Sequence, residues 1–336
     1  MSSLPLFNET PEPSLVALPA NWKVAVVIPC YRVVPFVLDL IGRIGPEVHA
    51  IYCVDDACPD GSGEHVRAGC VDPRVVVISH SKNQGVGGAT MTGYRTALQA
   101  GADVIVKLDG DGQMKPEMIG RFLRPIVLGR ADYTKGNRFF KIESLRSMPR
   151  LRLFGNAALS FFTKLSSGYW HIMDPTNGYV AIHQRVLGEL IEEKISARYF
   201  FESDLLFRLN TLGAVVEEVP MEASYEHAAS NLRIRAVLLP FLWKNICNTI
   251  KRIFYNHFLR SFSVASLELV FGSLSLLFGI AFGFTKWAQS MVTGLPVTSG
   301  TVMLAALPVI IGMQLLLSFI AHDMRSNPGV PLHKRL

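Results

Sequence analysis

The chain has 336 residues, enough for one α/β domain of ordinary size with additional elements. Hydrophobic residues make up 49% of it and the mean hydropathy is +0.29, which disfavours a purely soluble enzyme and predicts membrane segments. The net charge of +6 is concentrated beside the apolar C-terminal runs, which favours anionic lipid over nucleic acid as its partner.

The first 22 residues are predicted to form a flexible tail, and residues 23–231 are predicted to form a cytosolic catalytic domain. The tail lacks the basic start of a signal peptide and contains Glu9 and Glu12. The domain begins with alternating strand-like and helical patterns, which are typical of a doubly wound, mostly parallel sheet. The predicted strands are 24–28, 48–54, 74–79 and 103–108, and the predicted helices are 34–43, 63–70, 86–101 and 116–128.

Polar or special residues follow each of these four strands. Parallel sheets bind ligands at the carboxyl ends of their strands, so these segments are expected to converge on one edge. They are Pro29-Cys-Tyr-Arg32, Asp55-Asp56, His80-Ser-Lys-Asn83 and Asp109-Gly-Asp111.

The segment Asp109-Gly-Asp-Gly-Gln113 is predicted to bind a divalent cation. Two carboxylates one residue apart on a tight turn can reach one ion, and Gln113 can supply another oxygen. Carboxylates together with a phosphate-bearing substrate are typical of Mg²⁺ or Mn²⁺ sites. The alternative is a solvated loop rich in Asp and Gly, which the position after an apolar strand disfavours.

The second half of the domain is predicted to contain helices at 150–167 and 201–212 and strands at 178–182 and 215–221. Residues 232–260 alternate apolar and basic positions with a break at Pro240, which is typical of amphipathic helices at a membrane surface. The alternative is a core helix with a solvated basic face.

Two transmembrane helices are predicted within residues 261–322, followed by a basic cytosolic tail at 323–336. Residues 269–285 and 299–321 carry no charge, and about 20 such residues cross a bilayer. The alternative is a buried helical hairpin in a soluble core. Lysines and arginines lie before and after the pair of helices but not between them, so the positive-inside rule places both termini and the domain in the cytoplasm.

These motifs together resemble the family 2 glycosyltransferases of the GT-A fold, and among them the polyprenyl-phosphate enzymes of the dolichyl-phosphate mannose synthase type. The resemblance covers about residues 23–235, and the Asp109/Asp111 pair corresponds to the family's DxD. It implies that the donor nucleotide contacts Pro29, Tyr31, Asp55, Asp56, Asn83, Gly88 and Asp109, with Asp56 on the base. Arg32-Val33 and Ala57-Cys58 depart from the family's Asn-Glu and Gly-Ser.

The resemblance also implies an acceptor phosphate site at Arg138, Arg152 and Asn156. The fork of an arginine binds phosphate in a bidentate manner; the alternative is that Arg150 and Arg152 only complement lipid headgroups. The catalytic residues implied are Asp111, Asp174, Arg138 and Arg152. Glu202 stands where related enzymes place a base, but a polyprenyl phosphate is already an anion, so the hypothesis is a mechanism without a base.

The function implied is transfer of one sugar, with inversion, from a UDP- or GDP-sugar to undecaprenyl or dolichyl phosphate at the cytoplasmic leaflet of the cell membrane. The partners implied are the donor, the acceptor, the bilayer and further copies of the chain in a homo-oligomer such as a tetramer. One alternative is a glycan-elongating transferase with a sugar-hydroxyl acceptor, although such enzymes carry a QxxRW motif that is absent here. The other alternative is a non-catalytic membrane scaffold, which the intact acidic pair disfavours.

Overall fold

The structure, a computed structural model, describes residues 19, 21–140, 150–222 and 234–336, with the side chains of 150–154, 156 and 234–238 excepted. Its centre is a seven-stranded sheet in the order β3-β2-β1-β4-β6-β5-β7. All neighbouring strands are parallel except β6, which is antiparallel to β4 and β5. The strands are β1 Val24–Cys30, β2 Ala50–Asp55, β3 Val75–Ser79, β4 Val104–Lys107, β5 Tyr133–Asn137, β6 Val180–His183 and β7 Val216–Pro220.

Helices cover both faces of the sheet because its central strands are apolar on both sides. In β1, Val24, Val26 and Ile28 belong to one core, and Ala25 and Val27 belong to the other. This alternation follows from the two-residue period of a strand. The domain helices are α1 Val37–Gly42, α2 Ser62–Gly69, α3 Val86–Gln99, α4 Ile119–Val127, α5 Arg150–Ser167, α6 Gln184–Leu190 and α7 Phe201–Leu212.

A long helix, α8 Ile234–Phe254, follows the domain and continues as a π-helical segment at Tyr255–Arg260. The break expected at Pro240 is wrong, because α8 runs through this residue. A proline removes one backbone hydrogen bond from a helix. Beyond it, the buried side chains of Phe241, Asn245 and Asn248 keep α8 in place.

The last two helices, α9 Val264–Thr293 and α10 Ser299–Arg325, are long and apolar enough to cross a membrane. In their most apolar stretches only 22% and 11% of the residues are buried, which disfavours a soluble helical hairpin. They pack closely through small residues: a Cβ on Gly279 would lie 2.7 Å from Val309 Cγ2, and one on Gly312 would lie 2.7 Å from Leu276 N. The predicted fold class is confirmed.

After the apolar helices α9 and α10, residues 330–336 return to the domain. The Asp132 carboxylate, just before β5, accepts the backbone N–H groups of Leu332 (2.7 Å) and His333 (2.8 Å). The His333 ring stacks on His183 with 4.4 Å between ring centroids. These contacts hold the chain end at the edge of the sheet opposite the carboxyl ends of the parallel strands.

Candidate active site

The turn that carries Asp109 and Asp111 lies directly after β4, at the carboxyl edge of the parallel strands. Gly112 adopts φ +74°, a left-handed conformation that favours glycine. The Gln113 N–H donates to Asp111 Oδ1 at 3.1 Å, which fixes one oxygen of that carboxylate. The turn therefore holds both acids at the position expected from the sequence.

Lys107, the last residue of β4, organises the acids around this turn. Its side chain is 1% exposed, and its ammonium lies 2.7 Å from Asp109 Oδ1 and 3.3 Å from Glu202 Oε1. It also donates to the carbonyl of Gly178 at 3.3 Å. Burial alone would lower the pKa of Lys107, but the two carboxylates outweigh it and raise that pKa, so the lysine stays charged. Lys107 was not predicted from the sequence; the available signal was a lysine inside an apolar strand, two residues before the first aspartate.

The acidic pair fits a divalent cation electrostatically. Burial, and then the neighbouring charge of Asp109, raise the pKa of Asp111, and a bound cation would relieve both effects. Within the described ranges, no group of three or more His, Cys, Asp or Glu side chains could hold a metal. The protein therefore offers two carboxylates here, and the remaining ligands of a cation would come from Gln113, water or a phosphate-bearing ligand.

Asp174 is fully buried and forms a fork-to-fork pair with Arg138. Arg138 Nε donates to Asp174 Oδ2 at 2.7 Å and Nη2 donates to Oδ1 at 3.0 Å. The backbone N–H of Arg138 and the side-chain amide of Asn177 also donate to Oδ2, both at 3.2 Å. This saturated carboxylate is suited to orienting the guanidinium, whose side chain is 29% exposed.

A second layer of buried polar groups fixes the Asp174 turn. Glu218 Oε1 accepts the backbone N–H groups of Met173 (2.7 Å) and Asp174 (3.0 Å), and burial is the main cause that raises the pKa of Glu218. The fully buried Lys135 donates to the carbonyl of Asn177, and burial lowers the pKa of Lys135 to about 8. Because Glu218 and Lys135 lie on β7 and β5, their contacts depend on strand pairing and were not predicted.

The two aspartates predicted for the nucleotide have partners inside the protein. Asp55 accepts the N–H groups of Cys58 (2.9 Å) and Gly63 (3.2 Å). Asp56 accepts those of Gln84 (2.8 Å) and Gly85 (2.7 Å), and its Oδ1 lies 2.8 Å from His80 Nδ1. Both carboxylates therefore shape the loops around the edge, and their nucleotide contacts stay predictions.

The other predicted donor residues surround these loops. Pro29 lies in β1, and Tyr31, just beyond it, is 45% exposed. The Asn83 amide donates to the carbonyl of Asp56 at 3.2 Å, and the N–H of Gly88 donates to the carbonyl of Ala197 at 3.2 Å. The carbonyl of Ala197 thus occupies the N-terminal end of α3. Tyr31 is the most accessible of the predicted donor residues.

The predicted acceptor residues Arg152 and Asn156 lie on α5, and their side chains are outside the described residues. Their spacing of four residues places them on one face of that helix. Arg138 is the acceptor-side residue whose contacts the structure gives. The assignment of all three to a phosphate stays a prediction.

Comparisons with known proteins give a consistent result. Residues 25–191 match the family described as Glycosyl transferase family 2. The chain is 35% identical over 152 residues to UDP-N-acetylglucosamine–dolichyl-phosphate N-acetylglucosaminyltransferase of Methanococcus voltae, a match that covers 45% of this chain and 60% of that protein. It is 31% identical over 203 residues to undecaprenyl-phosphate mannosyltransferase of Micrococcus luteus, covering 59% of this chain and 82% of that protein.

The fold is similar to that of glucosyl-3-phosphoglycerate synthase from Mycobacterium tuberculosis, solved in complex with Mn²⁺, uridine diphosphate and phosphoglyceric acid. The TM-score is 0.52 at 19% identity, over 69% of this chain and 79% of that chain. At this identity, the likeness concerns the fold.

Proposed function

The chain belongs to glycosyltransferase family 2, and we propose that it transfers one sugar from a nucleotide-sugar to a polyprenyl phosphate. The observation that carries the proposal is the sheet edge itself. It combines the Asp109/Asp111 turn with the Arg138–Asp174 pair, on a domain joined to two apolar helices. The names of the M. voltae and M. luteus relatives, which act on dolichyl and undecaprenyl phosphate, support the same acceptor class.

The donor side rests on the acidic turn. Asp109, Asp111 and Gln113 would hold Mg²⁺ or Mn²⁺, which would neutralise the diphosphate leaving group of a UDP- or GDP-sugar. Lys107 keeps the Asp109 carboxylate oriented through the 2.7 Å contact. Tyr31, exposed beside the turn, would pack against the nucleotide, and the loops shaped by Asp55 and Asp56 would border it.

The acceptor side rests on arginine. Asp174 fixes the plane of the Arg138 guanidinium through two hydrogen bonds, and such a pre-oriented fork binds phosphate oxygens with little loss of side-chain entropy. Arg138, with Arg152 and Asn156 from α5, would hold the lipid phosphate in line with the anomeric carbon. Attack from the face opposite the leaving group inverts the configuration there.

No base is required in this mechanism, because the attacking phosphate is already ionised. Glu202, the candidate for a base, lies 3.3 Å from the buried Lys107 ammonium and partly neutralises it. Asp174 holds the Arg138 guanidinium with both of its oxygens, so its proposed role is to orient that arginine. Both acids therefore act as electrostatic and orienting groups. If Glu202→Gln abolished turnover while donor binding stayed normal, a base mechanism would replace this one.

The decisive experiment combines a set of nucleotide-sugars with a short polyprenyl phosphate and the purified full chain, with and without Mn²⁺. We expect one donor to give a lipid-linked product of inverted configuration, and Asp111→Asn to lower the rate by about 100-fold to 1,000-fold. A product of mixed configuration would contradict the proposed displacement. Donor consumption with a soluble oligosaccharide, and none with the lipid phosphate, would favour a glycan-elongating enzyme.

We further propose the cytoplasmic face of the cell membrane as the location. Residues 23–231 would form the cytosolic catalytic domain, 232–260 would lie in the interface, and 261–322 would cross the bilayer twice. The exposed apolar residues Leu239, Trp243, Ile250 and Phe254 recur along one side of α8, as expected for a helix lying in the interface. Labelling of single cysteines placed before α9 and between α9 and α10 would test this orientation. A homo-oligomer, such as a tetramer, is also proposed.

A further inference from the structure

A polar cavity of about 410 Å³ lies where the end of α8, with its π-helical segment, and the end of α10 meet the end of α7. This volume is in the range of about 300–1,000 Å³ that is typical of small-ligand sites. Apart from Pro328 and Val330, the lining consists of glycine, polar and charged residues. The composition suits a headgroup better than a hydrocarbon chain.

The charges on the cavity wall are mainly positive. Three arginines line it, Arg252, Arg260 and Arg335, against a single carboxylate, Asp323. Asp323 is already paired with Arg252, whose Nη1 and Nη2 lie 2.7 and 2.9 Å from its two oxygens. The positive charges of Arg260 and Arg335 are therefore not balanced by a carboxylate on the wall.

Some of the buried polar atoms around the cavity lack partners. Within the described part of the chain, Arg252 Nε and Asn256 Oδ1 are buried and make no hydrogen bond. Such atoms normally bind water or a ligand, because leaving them unsatisfied is costly. A ligand phosphate with an attached hydroxyl could serve both, accepting from the arginine and donating to the amide oxygen.

The surroundings of the cavity point to a lipid as the source of the phosphate. The large side chains of Leu259, Phe262 and Val264 are 66%, 66% and 71% exposed, and they flank Arg260 and Ser261 of the wall. Exposed apolar side chains beside basic residues at the end of a membrane helix are typical of the bilayer interface. A lipid whose headgroup enters the cavity would leave its acyl chains against these residues.

The cavity is distinct from the candidate active site. Glu202 lies in the first turn of α7, beside Lys107, whereas the cavity is lined by Asn210 and Gly213 at the other end of this helix. Eight residues of helix separate Glu202 from Asn210, which is about 12 Å at 1.5 Å per residue. Occupation of the cavity therefore leaves the acidic turn accessible.

We propose that this cavity binds the phosphate-bearing headgroup of an anionic membrane lipid and thereby anchors the catalytic domain against the bilayer. Arg260 and Arg335 supply the main charge, and their guanidinium groups also donate to the carbonyls of Thr211 and Gly213 at the end of α7. The headgroup would thus be bound at the junction between the domain and its membrane helices.

The test is native mass spectrometry of the full chain in detergent, with added phosphatidylglycerol or phosphatidylcholine. We expect selective retention of phosphatidylglycerol, and a loss of affinity of about tenfold or more for Arg260→Gln combined with Arg335→Gln. Arg325→Gln removes an exposed arginine from the same end of α10 but outside the cavity, and it should retain the lipid like the wild type. Equal retention by the double variant, or equal loss in Arg325→Gln, would overturn the proposal.

A second variant covers the case in which loss of the arginines weakens the fold. Ser326→Asp adds a negative charge to the wall and keeps all three arginines, so it should also reduce phosphatidylglycerol retention. If inorganic phosphate alone protected the wild type against heat as well as phosphatidylglycerol does, the ligand would be free phosphate and the lipid proposal would be wrong. The sugar-transfer assay with Asp111→Asn tests the proposed function separately, so failure of the lipid proposal and failure of the proposed function can be told apart.

Discussion

Two arginine–aspartate pairs lie in different parts of the molecule. Arg138 and Asp174 meet at the candidate active site, and Arg252 and Asp323 meet where the domain joins the apolar helices α9 and α10. Both are bidentate, with closest distances of 2.7 Å. They differ in exposure: the Arg138 side chain is 29% exposed, whereas that of Arg252 is 2% exposed.

The difference in exposure gives the two arginine–aspartate pairs different roles. Asp323 also accepts from the Trp170 indole at 3.1 Å and lies 3.1 Å from His257 Nε2, so three side chains meet around one carboxylate. A pair enclosed in this way stabilises the junction and forms part of the wall of the cavity there. The exposed side of Arg138, in contrast, can meet a ligand while Asp174 keeps its orientation.

The largest expected effect is at the junction. Asp323→Asn leaves the buried Arg252 charge without its partner, and breaking such a pair costs about 3–5 kcal/mol. Thermal unfolding of the solubilised full chain measures this loss. The transfer rate per folded molecule should remain close to that of the wild type.

A double variant sharpens the same test. Arg252→Met combined with Asp323→Leu removes both charges, and apolar replacement of a buried pair is often neutral or stabilising. It should therefore be more stable than Asp323→Asn alone. If the single variant were as stable as the wild type, the enclosed pair would not be what holds the junction together.

The next largest effect is expected from a substitution that disturbs the geometry of the active site without removing a charge. In Gly178→Ala, the new Cβ would lie 2.3 Å from Asp109 Oδ2 and 2.7 Å from Lys107 Nζ, so the carboxylate must move. A displacement of about 1 Å at a reacting site can cost about 100-fold in rate, and we expect a loss of that order. Gly188→Ala is the matched control, because a Cβ there meets nothing within 4 Å. Transfer rates at saturating donor decide the result, and equal rates for both variants would contradict it.

Much of the fold could be predicted from the sequence because its strands are apolar runs separated by helical patterns. The predicted strands at 24–28 and 103–108 contain or lie within β1 Val24–Cys30 and β4 Val104–Lys107. The strand predicted at 178–182 begins later, at Val180. The reason is local: Asn177 Oδ1 accepts the N–H of Tyr179 at 2.9 Å, which extends the preceding turn.

The candidate site was less predictable from the sequence. Asp109 and Asp111 could be found because two acids after an apolar strand form a local pattern. The contacts of Lys107 with Glu202 and of Lys135 with Asn177 could not be predicted, because these partners are 95 and 42 residues away. For Asp56 the motif predicted a contact with the nucleotide. Only the structure shows that the N–H groups of Gln84 and Gly85 already donate to its two oxygens.

A smaller effect on activity is expected when Arg138 loses its planar guanidinium fork but keeps its positive charge. Arg138→Lys retains the positive charge near Asp174 but cannot make the bidentate pair or present a planar fork to a phosphate. We expect the KM for the polyprenyl phosphate to rise about tenfold, the equivalent of one charge-assisted hydrogen bond, with little change in the KM for the donor. Arg130→Lys, at the solvent-exposed pair with Glu217, is the control and should change neither constant. If only the KM for the donor rose, Arg138 would contact the donor, and its assignment to the acceptor phosphate would be wrong.

The smallest expected effect concerns the buried lysine behind the Asp174 turn and appears as a pH dependence. Burial lowers the pKa of Lys135 in the folded chain to about 8 from the ordinary value of 10.5. Between these values the unfolded chain holds the proton and the folded chain does not, so the free energy of unfolding rises with pH through this window. Lys135→Met lacks this contribution, and its stability relative to the wild type should fall by on the order of 1 kcal/mol between about pH 8 and 9.5.

Lost packing or a lost hydrogen bond to Asn177 would change the stability of Lys135→Met equally at every pH. Unfolding of the wild type, Lys135→Met and the surface control Lys82→Met across this range therefore isolates the titration, and parallel curves for all three would show that Lys135 stays protonated throughout it.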